Sequence, residues 1–141
     1  MEKIVIENKI ESLIALLEKL GTILKEHHQQ GTEKLREFLL YAAEKKAEEV
    51  VELAISINQV LLREKGKVSS SYYDSFLDLK LFSVFGDAEL RQLASTAGFR
   101  NRLAHEYLEV DPDIALKTMK QMLVIYPPYL QKVKKLASRR K

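Results

Sequence analysis

The stretch Arg100-Asn101-Arg102-Leu103-Ala104-His105-Glu106-Tyr107 gathers two fixed cations, an amide, an imidazole, a carboxylate and a phenol. An imidazole gives and takes protons near neutral pH. A guanidinium binds a phosphate and stabilises charge developing on it. Together these groups suit cleavage of an RNA phosphodiester without metal. The ribose 2′-OH would be the nucleophile, His105 would move protons, and Arg100 or Arg102 would hold the phosphate. Residue chemistry alone favours a simpler alternative, a polar helix end on which His105 caps carbonyls.

Other chemistry has less material. The chain has no Gly-rich phosphate loop, nucleophile elbow or HExxH. It has no cysteine, which excludes disulfides and thiolate metal sites. His27 and His28 are adjacent, so on a helix they point in different directions, and they suit a C-terminal dipole better than a metal. Glu44, Glu48, Glu49 and Glu52 lack partner histidines at bundle-ligand spacing and read as a solvated helix face. Tyr72 and Tyr73 could stack on bases, but amphipathic packing at a helix start is the expected role. No metal and no cofactor are expected.

The elements that must position this stretch are helical. Ile6, Ile10, Leu13, Ile14, Leu17, Leu20 and Leu24 recur at three- and four-residue steps, which predicts a helix over about 4–26. Gly31-Thr32 ends that pattern and offers Thr32 as an N-cap. A long helix is expected over about 33–64, with Leu35, Phe38, Leu39, Ala42, Val50, Leu53, Ala54, Ile57, Val60 and Leu61 on its core stripe. Lys46 interrupts that stripe, its stem running along the core edge.

Residues 66–71 form a loop. Ser71 to Asp74 resembles a capping box opening a helix over about 72–84. Asp87 is the expected N-cap of a fourth helix, which contains Gly98. That glycine suits close helix packing or the approach of another backbone. Asp111-Pro112 opens a fifth helix. Pro127-Pro128 is expected to break or kink it. No segment alternates with period two for long enough to make a strand. The fold class is all-α, an antiparallel four- to five-helix bundle forming a single domain over 1–141.

The 141 residues fit one domain, and 46% hydrophobic with 30% charged residues argues against disorder. The formal net charge of +3 permits contact with nucleic acid without establishing it. The basic excess sits in Lys132, Lys134, Lys135, Arg139, Arg140 and Lys141, and reads as a solvated, frayed helix end. No apolar run reaches the roughly 18 residues needed to span a bilayer. The first residues lack the order of a signal peptide. A cytoplasmic protein without a membrane role is the expectation.

Gly98-Phe99-Arg100-Asn101-Arg102-Leu103-Ala104-His105-Glu106-Tyr107 closely resembles the Arg-x4-His-x-Tyr motif of the HepT-like family in the HEPN superfamily. Ser71-Tyr72-Tyr73-Asp74-Ser75-Phe76 resembles the segment before that family's third helix. Val110-Asp111 resembles the segment just after its tyrosine. The resemblance covers about 35–136. It implies a helical homodimer acting as a metal-independent endoribonuclease toxin of a type VII toxin–antitoxin system. It implies a nucleotidyltransferase antitoxin (MntA-like) that transfers AMP to the motif tyrosine. By position, Arg100 and His105 would be catalytic, Asn101 a supporting polar residue and Tyr107 the site of AMPylation. The family often carries an acidic residue midway along the second helix, and Ser56 and Asn58 offer no obvious counterpart. About 30 residues precede the matched region.

Helical geometry bears on how such a site works. Five residues along a straight helix turn by about 500°, so Arg100 and His105 point about 140° apart. Asn101 and His105, four apart, share a face. Either the helix ends near Ala104 and His105 swings round, or two subunits contribute to one cleft across a two-fold axis. The second is expected. The alternative function is a non-catalytic HEPN-like module that binds a nucleotidyltransferase or its nucleotide.

Overall fold

The computed structural model describes residues 2–105 and 110–139. Its elements are α1 (Glu2–Gln29), α2 (Glu33–Glu64), α3 (Tyr72–Leu77), a 3₁₀ turn (Asp78–Phe82), α4 (Asp87–Ala104) and α5 (Pro112–Ser138). No strand occurs among the described residues. The all-α expectation holds.

Short connections set the neighbours. The three residues between α1 and α2 leave room only for an antiparallel pair. α1 packs on α2 and α5, and α4 packs on α2, α3 and α5. Ile6, Ile10, Leu13, Leu17, Leu20 and Leu24 are buried along one face of α1, as their spacing requires. Ala43, Ala47, Val50, Ala54, Ile57 and Leu61 do the same for α2.

Helix starts follow local chemistry. Ser71 Oγ accepts from the Asp74 N–H at 3.0 Å and caps α3. Asp111 Oδ1 accepts from the N–H groups of Asp113 and Ile114 at 2.8 and 3.2 Å and caps α5. α4 differs by one residue from the expectation: Gly86 is the N-cap, its N–H donating to Glu89 at 3.2 Å. Glu89 also pairs with Lys132 at 2.5 Å, so Lys132 belongs to a helix contact and not to a solvated tail. Arg140 and Lys141 lie outside the described residues.

Three expectations need correction. First, α5 runs unbroken through Pro127 and Pro128. Each proline removes an N–H that would bond a carbonyl four residues back. Both prolines lie on the exposed side, where the freed carbonyls can meet water, while Tyr126, Tyr129, Leu130 and Val133 bury the opposite side. Second, Leu35 and Phe38 do not join the core: they are 48% and 63% exposed. Third, His27, expected as a partner for the α1 dipole, keeps its place in the last turn of that helix but buries its side chain. Loss of hydration pushes its imidazole below the ordinary value, helped by the charges of Arg36, Lys120 and His28.

A buried polar column crosses the core behind the motif. The Tyr129 hydroxyl donates to Asn58 Oδ1 at 2.6 Å and lies 3.1 Å from the Ala54 carbonyl. Asn58 Nδ2 donates to Ser75 Oγ at 3.3 Å, and Ser75 Oγ donates to the Tyr72 carbonyl at 2.7 Å. Burial raises the Tyr129 phenol above its ordinary pKa, so it stays a donor. Deleting one member leaves a buried acceptor unpaired, which costs about 1–3 kcal/mol. Tyr129→Phe is therefore expected to lower unfolding stability by that amount in urea titration. A change within the error of the titration would show that this hydroxyl does not hold the column.

Candidate active site

Arg100 lies in the last turns of α4, where it faces α2. Its Nε and Nη2 donate to Glu52 Oε1 at 3.2 and 3.0 Å, and its Nη1 donates to Asn101 Oδ1 at 3.2 Å. Its guanidinium carbon stands 5.7 Å from the centre of the Tyr72 ring. A guanidinium carries five N–H donors. These contacts use three and leave one hydrogen each on Nη1 and Nη2. The side chain is thus held by a carboxylate, an amide and an aromatic face while keeping two donors for an anion.

Glu52 is the residue that sequence reasoning missed. It is exposed, as expected of that helix face, but it also makes a contact that the face alone does not announce. It sits one helical turn before Ser56 and supplies the acidic group on α2 that meets Arg100. One signal was present: Glu52 has no cation three or four residues away on its own helix, whereas Glu49 has Lys46 and pairs with it at 3.3 Å. Glu44 shares that lack, so the signal alone does not single out Glu52. The Glu52–Arg100 pair is substantially solvated, with side chains 44% and 23% exposed. Such pairs contribute at most about 1 kcal/mol to stability. Orientation of Arg100 is its larger effect.

Asn58 has a role, but not as an acid: it is fully buried in the column that ends on the Tyr72 carbonyl. Tyr72 and Tyr73 are 47% and 44% exposed, against the expectation of packing at a helix start. One face of Tyr72 meets Arg100, and Tyr73 keeps an open ring surface.

α4 ends at Ala104. His105 is its C-cap, with extended backbone (φ −97°, ψ 101°), and its N–H donates weakly to the Arg102 carbonyl at 3.4 Å. The side chain is exposed. The straight-helix angle between Arg100 and His105 therefore does not apply, and the separation it implies no longer demands a second subunit. Asn101 and Arg102 are exposed on the same last turn. Tyr107, the expected modification site, lies outside the described residues, as does Glu106. Among the described residues Gly98 meets nothing within 4 Å where a Cβ would stand, so packing against them does not explain it. Its surface is open to another backbone.

A curated protein of Aphanizomenon flos-aquae (strain 2012/KM1/D3), named tRNA nuclease HepT, is 29% identical to this chain over 85 residues. That alignment covers 60% of this chain and 58% of the relative, so the chain spans little more than half of the relative's length. A solved structure of a tri-AMPylated Shewanella oneidensis HEPN toxin in complex with MNT antitoxin superposes with a TM-score of 0.76 at 19% identity. That match covers 93% of this chain and 97% of the other, and establishes a shared fold. Residues 7–136 match the family described as Ribonuclease HepT-like, and the chain belongs to that family.

Proposed function

We propose that this protein is a homodimeric, metal-independent endoribonuclease toxin, silenced when a nucleotidyltransferase antitoxin attaches AMP to Tyr107. The observation that carries this reading is the Arg100 clamp: Glu52, Asn101 and Tyr72 hold the guanidinium, with donors left over, on the helix whose cap is His105.

The chemistry comes from those groups. The 2′-oxygen of a ribose attacks the adjacent phosphorus while its proton passes to a base. The bond from phosphorus to the 5′-oxygen breaks, and that oxygen gains a proton. The products are a 2′,3′-cyclic phosphate and a 5′-hydroxyl. Arg100 stabilises the charge on the non-bridging oxygens. His105 moves the protons, and in a two-fold site one His105 can take a proton while its counterpart gives one. Asn101 fixes Nη1 of Arg100, and Arg102 adds positive charge. AMP on Tyr107, two residues after His105, would bring bulk and negative charge beside a site meant for phosphate.

Support for the dimer comes from α2. Leu35, Phe38 and Tyr41 are exposed by 48%, 63% and 62%. Phe38 and Tyr41 fall within about 40° of Glu52 around the helix. Exposed aromatics in a cluster mark a contact surface, and here it leads straight to the clamp. The double variant Phe38→Asp, Tyr41→Asp is expected to run as a monomer in light scattering and to lose most cleavage activity. A fully active monomer would rule out the shared cleft.

The direct test is cleavage of RNA, including transfer RNA, in EDTA by wild type, Arg100→Ala and His105→Ala. Activity in wild type alone is expected. Equal activity in all three would mean the assigned site is wrong. An inactive, unmodified wild type would point to the non-catalytic module. Mass spectrometry after co-production with the antitoxin should place AMP on Tyr107.

A further inference from the structure

Past Glu52, the same face of α2 continues through Ser56, Gln59 and Arg63. At 100° per residue these four lie within about 60° of one another, and Arg63 stands about 16 Å further along the axis. This face becomes the floor of an open groove of about 520 Å³ between the start of α1, the end of α2 and the loop before α3. Lys9, Arg63 and Lys67 are the charged residues lining it among the described residues. Among the described residues none of the three cations forms an ion pair. The loop wall is fixed, because Ser69 Oγ donates to Asp78 at 2.7 Å. Val68 stands above the groove, 86% exposed.

We infer that this groove carries a single strand of RNA leaving the Arg100 site, its phosphates held by Lys9, Arg63 and Lys67. The inference rests on the nuclease reading above and deepens it by giving the substrate a path and a direction. Charge sets the direction. Toward its start, α2 mixes Glu44, Glu48 and Glu49 with Lys45 and Lys46, whereas the charged side chains described around the groove are all cations. The polar floor of Ser56 and Gln59 offers donors to backbone or base without selecting a sequence. Exposed Val68 and Tyr73 supply apolar and aromatic surface for bases, the usual companion of a cationic track. The loop that carries Lys67 and Val68 runs directly into Tyr72, so the groove and the clamp share a wall.

The test uses a twelve-nucleotide single-stranded RNA protected from cleavage by 2′-O-methyl groups. The full chain is compared with its triple variant Lys9→Gln, Arg63→Gln, Lys67→Gln. Loss of three phosphate contacts on a single strand should reduce the slope of log affinity against log salt by about 2. At 0.1 M salt this corresponds to binding roughly ten- to a hundredfold weaker. Cleavage of a dinucleotide, too short to reach the groove, should be unchanged. Arg63→Glu alone, at an exposed helix position, should weaken binding more than Arg63→Gln.

An unaltered salt slope overturns the proposal, as does an equal loss on the dinucleotide. Unchanged RNA binding with loss of antitoxin binding would assign the groove to a protein partner and likewise overturn it. The protected oligonucleotide is never cut, so the binding arm reads the groove even if the chain proves to have no nuclease activity.

Discussion

His105→Ala is expected to cleave RNA about a hundred- to ten-thousandfold more slowly than wild type, the range a positioned proton-transfer group contributes. The side chain sits at the C-cap of α4, exposed, beyond the last helical residue. The loss should appear in kcat. An alanine variant within threefold of wild type would leave the proton transfers without an agent and sink the mechanism.

Arg100→Lys should be nearly as damaging, although it keeps the charge. In the proposed mechanism Arg100 has two tasks for one planar group: Nε and Nη2 meet Glu52 and Nη1 meets Asn101, while the remaining hydrogens on the two terminal nitrogens would serve the phosphate. A lysine ammonium is a point charge that cannot span those directions. If it pairs with Glu52 it is withdrawn from the phosphate. If it turns to the phosphate, Glu52 is left beside an anionic substrate. A loss of about a hundredfold in kcat/KM is expected, corresponding to about 2.7 kcal/mol of transition-state stabilisation. Glu52→Gln provides a control, because it keeps an acceptor for Nε while removing the charge and should cost less than Arg100→Lys. If lysine retained full activity, the forked geometry of the clamp would be irrelevant to catalysis.

Much of this arrangement could be read from residue order. Gly66, at φ 67°, closes α2, and Asp111-Pro112 opens α5, whereas Thr32 takes the N-cap position of α2 without a side-chain cap bond. These are local effects of backbone freedom and capping, so local sequence reports them. The features that could not be read depend on contacts between distant segments. Glu52 and Arg100 are 48 residues apart and meet because α4 lies across α2. The exposure of Leu35 and Phe38 depends on where α1 ends relative to α2, which periodicity does not encode. The end of α4 at Ala104 is marked by neither glycine nor proline. The continuity of α5 through two prolines shows core burial outweighing two lost backbone bonds.

The column from Tyr129 through Asn58 and Ser75 to the Tyr72 carbonyl also orders events in time. A ribosome delivers the chain from its amino terminus. Arg100 and His105 therefore emerge before Tyr129 does. Until α5 docks, Asn58 lacks its donor, and the turn that presents Tyr72 to Arg100 has lost its anchor. The nuclease proposed above would then be complete only once α5 has docked on α2. A chain stopped at Val110 should accordingly be inactive; RNA cleavage by it at the full-length rate would contradict this order.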